Sequence, residues 1–254
     1  MMNPPRIDLN CDLAEGIGNE RALMPWITSA NIACGFHAGD EALIAETVAL
    51  CVAHGVAIGA HPSFPDRANF GRLPMAMAPD AVTAMVFEQV ALLKKITENG
   101  GGRLHHVKPH GALYNSAARD PELAHAIVAA VVQVDPRLIL YGLSQSALPE
   151  AAASAGVACA HEVFADRTYR ADGSLTPRTE PHALIEDEAD ACGQALRLVM
   201  QKSVLTTAGV SLSLRADTLC LHGDGKHAEV FARQIFTHLT AAGVTLKPFD
   251  PSAA

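Results

Sequence analysis

Short apolar runs alternate with longer stretches of helical periodicity along almost the whole chain, and this alternation constrains the fold more than any other feature. The runs are residues 7–13, 30–35, 56–61, 104–110, 137–143, 157–164 and 218–224, with a weaker eighth at 244–249. Helix-like segments lie between them, and the one at 42–55 ends on Gly55, a natural C-terminal cap. Alternation repeated about seven times predicts parallel strands covered by helices.

A closed barrel fits this pattern better than an open sheet. The sequence predicts an α/β fold, a distorted (β/α) barrel of about seven parallel strands. Its 254 residues are a typical length for one such barrel. No break in composition marks a linker, so we interpret residues 1–254 as a single domain. Residues 203–216 are predicted to form a small β-hairpin inserted before the last main strand.

Polar residues that suit catalysis gather where the apolar runs end. Five histidines lie at or just past such an end: His37, His61, His110, His161 and His222. Acidic residues share these places, namely Asp8, Asp12, Glu15, Asp40, Glu162, Asp166 and Asp224. In parallel α/β proteins these carboxyl ends form one rim, where barrel enzymes place their active sites. The sequence therefore predicts a rim pocket, and histidines that bond only to local carbonyls are the alternative.

Spacing within two runs supports the rim pocket. Lys108 and His110 are two residues apart, so on an extended chain their side chains point the same way. Asp8, Asn10 and Asp12 share one face of the first run. A buried polar face of this kind is costly unless it binds a cation or a polar substrate.

Two long segments without periodicity follow the third and sixth runs. Residues 61–79 contain Arg67 and Arg72, and residues 164–181 contain Arg167, Arg170 and Arg178. Long loops in a compact domain are usually functional or disordered. Arginine in such a loop suits a bidentate grip on carboxylate or phosphate, whereas solvated surface charge is the alternative.

Composition and missing motifs disfavour several classes of function. A formal net charge of −8 argues against nucleic acid as a partner. No stretch approaches the ~20 apolar residues that cross a bilayer, so we expect no membrane association. The six cysteines lack CxxC spacing, which suits reduced thiols in a cytoplasmic protein. No GxxxxGK[ST] motif occurs, so the chain carries no P-loop for ATP.

Six sequence blocks together resemble one family closely. They are DLNCDLAEG (8–16), TSANIACGFHAGD (28–40), GAHPSFPDRANFGR (59–72), VKPHGALYN (107–115), EVFADRTYRADGSLTPR (162–178) and CLHGDG (220–225). These blocks resemble the signature blocks of the LamB/YcsF family, the family of the A subunit of 5-oxoprolinase, and they run in order through nearly the whole chain.

The resemblance implies both a fold and an activity. The implied fold is a barrel of the glycoside hydrolase/deacetylase type. The implied activity is the ATP-dependent hydrolytic opening of the lactam 5-oxo-L-proline (pyroglutamate) to L-glutamate, carried out together with 5-oxoprolinase subunits B and C. The absence of a P-loop agrees with an ATP site that lies on the partner subunits or is shared with them.

Roles for individual residues follow from this implied activity. The catalytic candidates are Asp12, His61, Lys108 and His110. The substrate-binding candidates are Asn10, Asn31, His37, Arg72, Glu162, Arg167, His222 and Asp224. Lys108 with Arg72 or Arg167 would hold anionic groups, and Asp12 or His61 would activate water. His110 would polarise the lactam oxygen or assist proton transfer.

Likeness to the deacetylase barrels suggests a variant in which Asp12, His61 and His110 bind a divalent metal. Two rival functions stay open from the sequence. One is a metal-dependent deacetylase or amide hydrolase that acts alone. The other is a non-catalytic subunit that binds a lactam or a carbohydrate.

Overall fold

The fold, seen in a computed structural model, is described for residues 4–221 and 228–253. Ten strands lie in this part of the chain: β1 (Arg6–Leu13), β2 (Ser29–Ala33), β3 (Ala57–His61), β4 (Leu104–Val107), β5 (Ile139–Leu143), β6 (Cys159–Phe164), β7 (Ser203–Leu205), β8 (Ser211–Ser213), β9 (Thr218–Leu221) and β10 (Thr245–Leu246). Eight of them overlap an apolar run of the sequence, and β7 and β8 lie in the segment predicted to form a hairpin.

Seven of these strands form a closed parallel barrel, which confirms the predicted fold. Their order is β1, β2, β3, β4, β5, β6, β9, and β9 pairs back with β1. The short β10 pairs with β1 beside this ring, through Arg6↔Thr245 and Ile7↔Leu246. Before β9, β7 and β8 form a separate antiparallel pair with Ser203 opposite Ser213. The seven barrel strands thus follow one another around the ring in chain order.

Eight α-helices are described in the same ranges, and the longer ones cover the outside of the barrel. They are α1 (Glu20–Leu23), α2 (Glu41–His54), α3 (Pro79–Asn99), α4 (Gly111–Ala117), α5 (Pro121–Val134), α6 (Ala147–Ser154), α7 (Glu188–Leu196) and α8 (Ala228–Ala241). Within this part of the chain, none of them combines the length and the apolar character needed to cross a membrane.

Local caps explain where two of the helices begin and end. The Asp40 side chain accepts from Leu43 N at 2.9 Å at the start of α2, so this acid caps a helix. Gly55 ends α2 with a φ of 68°, as its sequence predicts. The helical pattern at 183–201 predicts an earlier start for α7. The helix begins only at Glu188 because the Asp187 carboxylate caps it.

The barrel interior is partly polar. At its amino end the Asp8 carboxylate accepts hydrogen bonds from the hydroxyls of Thr28, Ser29 and Thr218, at 2.6–2.7 Å. Asp8 is buried and therefore lies deep in the barrel, away from the rim where the sequence analysis placed it. Asn10 and Asp12 follow on the same face of β1, closer to the carboxyl end.

Candidate active site

The carboxyl ends of the strands surround a cavity of about 460 Å³. Three strands of the ring supply its floor. Asp12 lies near the end of β1, His61 is the last residue of β3, and Lys108 directly follows β4. His110 joins them at the start of α4. The barrel therefore brings together the four residues that the sequence analysis proposed as catalytic.

The Lys-Pro-His segment after β4 keeps an extended path although the strand has ended. Lys108 N donates to Ala60 O at 2.9 Å, and His110 N donates to Pro62 O at 2.8 Å. Pro109, which has no N–H, falls between these two donors and costs no hydrogen bond. Lys108 and His110 consequently direct their side chains to the same side, into the cavity.

Lys108 lies between two carboxylates. Its Nζ is 3.0 Å from Asp12 Oδ1 and 2.8 Å from Glu162 Oε1, and it also donates to Asn10 Oδ1 and to Cys220 Sγ, both at 3.1 Å. Burial by itself would lower the pKa of Lys108, but Asp12 and Glu162 hold that pKa well above its usual value. Lys108 is therefore an ammonium group. Burial raises the pKa of Cys220 well above its usual value, so Cys220 remains a thiol.

A layer of buried amides supports the floor from below. Asn31 Nδ2 donates to Asn10 Oδ1 and Asp12 Oδ1, each at 2.8 Å, and His106 Nε2 donates to Asn31 Oδ1 at 2.8 Å. Asn10 Nδ2 in turn donates to Glu162 Oε1 at 3.0 Å. Asn10, Asn31 and Glu162 are fully buried and act on the cavity through the side chains above them. The sequence analysis assigned no role to His106.

Four potential metal ligands converge beside the floor. Glu15, His37, His61 and His110 each offer one ligand atom, and these atoms all lie within 4.8 Å of one another. Burial lowers the pKa of His37 to about 3 and holds the pKa of His110 well below its usual value, with His61 as the next cause in both cases. Both rings are therefore neutral at neutral pH, and the cluster is compatible with a divalent metal.

This cluster differs from the metal set that the sequence analysis suggested. Asp12 Oδ2 lies 3.3 Å from His61 Nε2, but Asp12 does not belong to the convergent group. Glu15 and His37 take part instead. The sequence signal for both was present, since Glu15 follows β1 and His37 follows β2.

The loop after β3 packs directly against the imidazoles. Gly71 adopts a φ of 64°, and a Cβ at this position would lie 3.0 Å from both His110 Cδ2 and His37 Cβ. Arg67 ties this loop to the one after β2, because its guanidinium donates to two backbone carbonyls there at 2.8 and 3.0 Å. Arg67 thus acts as a structural clamp between the two loops that hold the cluster.

Four arginines line the cavity: Arg72, Arg119 and Arg178 are exposed at its mouth, and Arg167 is buried. Arg167 is buried and fixes the loop after β6, where its Nε donates to Ala183 O at 3.2 Å and its Nη2 to Thr176 O at 2.6 Å. Within residues 4–221 and 228–253, neither Arg119 nor Arg178 makes an ion pair. The cavity thus combines an acidic, imidazole-rich floor with a cationic mouth that suits an anion.

The remaining predicted residues fall elsewhere. His161 is partly exposed on the outer side of β6, where its Nδ1 accepts from Gln145 N at 3.5 Å, and it does not line the cavity. His222 and Asp224 lie outside the described residues. Arg119 was missed by the sequence analysis because it follows α4 in a short turn that carries no periodic signal.

Comparison with known proteins agrees with this architecture. The model of the LamB/YcsF family matches residues 7–254. A protein from Brevibacillus brevis that is named as the A subunit of 5-oxoprolinase is 48% identical over 245 residues, which cover 94% of this chain and 96% of the relative. One of the same name from Bordetella pertussis is 52% identical over 248 residues, which cover 96% and 98%.

Solved structures share the fold of this chain. The crystal structure of the lactam utilization protein from Thermus thermophilus superposes with a TM-score of 0.90 at 43% identity, covering 96% of this chain and all of that one. A family 4 carbohydrate esterase from Streptomyces lividans reaches a TM-score of 0.51 at 11% identity over 98% of this chain and 94% of that one, and this likeness concerns the fold alone. From its family match, its relatives and its superposition, the chain belongs to the LamB/YcsF family.

Proposed function

We propose that this chain is the A subunit of an ATP-dependent 5-oxoprolinase, which opens 5-oxo-L-proline to L-glutamate together with subunits B and C. Relatives that carry the name of this A subunit, about half identical over nearly the full length, support this activity. The structurally similar lactam utilization protein points to the same class of substrate.

One observation in the site carries the proposal. Lys108 and Asp12 form an ion pair at 3.0 Å on the floor of a cavity that four arginines line. A lactam that bears a carboxylate needs a cationic grip for that carboxylate and an acid–base pair at the ring carbonyl. A volume of about 460 Å³ lies within the usual range of small-molecule sites, so the substrate fits with room for a phosphate group.

The chemistry explains why ATP is needed. Amide resonance makes the lactam carbonyl a poor electrophile. Transfer of the terminal phosphate of ATP to the lactam oxygen removes this resonance. Water then adds to the ring carbon, the carbon–nitrogen bond breaks, and the nitrogen takes a proton. A second water hydrolyses the resulting acyl phosphate and releases phosphate and glutamate.

The structure favours Asp12 over His61 as the general base. The Asp12 carboxylate lines the cavity, and Lys108 and Asn31 hold its Oδ1 by hydrogen bonds, which fixes the orientation of the carboxylate. His61 Nδ1 is hydrogen-bonded to Lys108 O at 2.7 Å, and its Nε2 faces His110 Nδ1 at 2.9 Å within the cluster of possible metal ligands. Asp12 would therefore take the proton from water.

Lys108 and the arginines would stabilise negative charge. The Lys108 ammonium is fixed on the cavity floor before substrate arrives, so it is preorganised for the oxyanion that forms at the ring carbon. Arg72, Arg119 and Arg178 lie at the mouth, where they would hold the substrate carboxylate or a transferred phosphate. The absence of a P-loop in the sequence agrees with an ATP site on the partner subunits or shared with them.

One rival function has a specific observation behind it. The cluster of Glu15 and three histidines would also suit a metal-dependent amide hydrolase that acts alone. Such an enzyme would need neither ATP nor partners, and this difference separates the two functions directly.

Glutamate release from 5-oxoproline is the test. The full chain is assayed alone and with subunits B and C, each with and without ATP. The proposal predicts glutamate and ADP only when chain, partners and ATP are all present. Release by the chain alone without ATP would establish the lone hydrolase instead. A complex that lacks this chain and keeps full activity would refute any catalytic role for it.

A further inference from the structure

We propose that Glu15, His37, His61 and His110 form a resident site for a divalent transition metal, with Zn²⁺ as the expected occupant. The inference rests on the same cavity as the proposed function but not on its reaction. It follows from where the ring protons of two histidines must lie.

The tautomer of His61 is fixed by its surroundings. Its Nδ1 lies 2.7 Å from Lys108 O, and a carbonyl oxygen can only accept a hydrogen bond. Nδ1 must therefore carry the ring proton and donate it. In a neutral imidazole the other nitrogen, Nε2, then bears a lone pair.

The same reasoning fixes His110 in the opposite tautomer. Its Nε2 lies 2.9 Å from Phe70 O and must donate, so its Nδ1 bears the lone pair. His61 Nε2 and His110 Nδ1 face each other at 2.9 Å. When the single ring protons lie on His61 Nδ1 and His110 Nε2, neither ring has an N–H that could donate to the other. Two lone pairs at this distance repel unless a cation, either a bound metal or a third ring proton, lies between them.

His37 and Glu15 direct further donors at the same place. His37 is 1% exposed, stacks on His110 with ring centroids 3.9 Å apart, and has no hydrogen bond at either ring nitrogen within the described residues. Its Nε2 lies 3.4 Å from Glu15 Oε1, which lies 3.5 Å from His110 Nδ1. A buried imidazole without hydrogen bonds is costly, and a bound metal would remove that cost.

The distances fit a metal. Ligand atoms at about 2.0–2.1 Å from a tetrahedral Zn²⁺ stand about 3.3 Å apart. Three of the six separations, 2.9, 3.4 and 3.5 Å, lie close to that value, and all six are within 4.8 Å. A metal-bound histidine usually donates its other ring N–H to a carbonyl or carboxylate oxygen, which fixes the tautomer. His61 and His110 both donate to backbone carbonyls in this way. An imidazole-rich donor set selects a transition metal over Mg²⁺ or Ca²⁺.

The barrel explains why these four residues meet. They lie at or just past the ends of β1, β2, β3 and β4 respectively, which are consecutive neighbours in the ring, so each strand contributes one ligand at the same edge. Glu15, His61 and His110 also line the cavity. A metal here would supply an electrophile beside Asp12 at the cavity floor.

The wild-type chain decides the proposal, without any variant. Full-length protein purified without a metal-affinity tag is analysed for metals, stripped with a chelator, and titrated with ZnCl₂ and MnCl₂ by calorimetry. We expect about one transition metal per chain, lost on stripping and regained on titration. The melting temperature should rise on reloading, because a metal that binds only the folded chain stabilises it. Purified protein without metal, and stripped protein that neither binds zinc nor gains stability, would overturn the proposal and leave a shared proton between His61 and His110.

Variants locate the site. His37→Gln should weaken zinc affinity by about 100-fold or more, since it removes a ligand. The exposed His125→Gln is the matched control and should bind zinc as the wild type does. Full zinc affinity in a folded His37→Gln would exclude this ligand set.

Metal binding and lactam opening can fail separately. If the chain binds zinc at this site but the complex shows no ATP-dependent glutamate release, the metal site is supported and the proposed function is contradicted. If a metal-free chain is active in the complex, the proposed function is supported and the metal site is contradicted.

Discussion

Single side chains in this barrel are positioned by alternation along the strands, and the sequence reveals that alternation well. It predicts that Asn10 and Asp12 share the inner face of β1, and they do. Depth is harder to predict. Asn31 was expected to bind substrate but is fully buried beneath Asp12, because a strand pattern shows which face a residue occupies and not how far it lies from the rim.

Residues beyond the end of a strand no longer alternate between the two faces of the sheet. Ala14 takes a φ of 59°, so the chain turns sharply after β1. Strand periodicity therefore cannot place Glu15. The metal variant, suggested by likeness to the deacetylase barrels, named Asp12, whereas Glu15 belongs to the convergent cluster.

Asp8 should give the folded protein a measurable pH dependence. Burial raises the pKa of its carboxyl in the folded state, although three hydroxyls donate to it. The folded chain then binds more protons than the unfolded chain between the two pKa values. The contribution of Asp8 to stability is thus fully present below the unfolded value of 3.8 and is lost as pH rises through the folded value.

Asp8→Asn removes the titrating carboxyl, so the variant should not lose this stability as pH rises. Urea unfolding across a pH series should show the free energy of unfolding of the variant, relative to wild type, rising from acidic to neutral pH. Asp172→Asn is the control of opposite sign, because a hydrogen bond from Ser174 lowers the pKa of that exposed carboxyl. A difference between Asp8→Asn and wild type that stays constant with pH would contradict the argument.

Strands and helices follow the sequence closely, and the connections between them less so. The seven barrel strands come from the seven strong apolar runs, since parallel strands covered by helices need such runs. The end of the loop after β6 was harder to predict from the sequence. It continues to Asp187 because Leu184 pairs with Arg167, which uses residues that the helical pattern had assigned to α7. A long-range contact of this kind leaves no local signal.

Close packing of β3 against β4 gives a prediction for stability. A Cβ on Gly59 would lie 2.1 Å from His106 Nε2, and His106 is held by stacking on Tyr141 at 4.0 Å. Gly59→Ala should therefore lower the free energy of unfolding by about 1–3 kcal/mol. Gly193→Ala is the matched control. It lies exposed in α7 with nothing near its Cβ position, and it should raise stability by about 0.5–1 kcal/mol. Thermal unfolding of both variants measures the contrast, and equal stability of Gly59→Ala and wild type would contradict it.

Arg167 should control the order of the loop after β6. Its planar guanidinium bonds two carbonyls at once, a geometry that lysine does not reproduce. In Arg167→Lys we expect the amides of Thr168 and Thr176 to exchange hydrogen about 10-fold or more faster, while Leu219 in β9 stays protected. Arg137→Lys, a change at an exposed arginine, is the control and should leave the loop unaffected. Unchanged exchange at Thr168 and Thr176 would show that Arg167 does not hold the loop.

The closed ring as a unit explains why six separate sequence blocks serve one site. Closure between β9 and β1 brings the carboxyl ends of all seven strands around one cavity. The sequence predicted this convergence from the fold class. It named the loop that carries Arg178 but missed Arg119, which lines the cavity from a turn after α4.

Turnover by the reconstituted complex with Asp12→Asn tests the central claim most directly. Asparagine keeps the shape of the side chain and an oxygen for Lys108 and Asn31, but it cannot accept the proton from water. Glutamate and ADP formation are measured together with assembly of the complex and the melting temperature, and His125→Gln is the control. We predict that glutamate formation falls by about 100-fold or more while assembly and melting temperature stay unchanged. Wild-type rates of glutamate formation by Asp12→Asn would contradict the assignment of catalysis to this cavity.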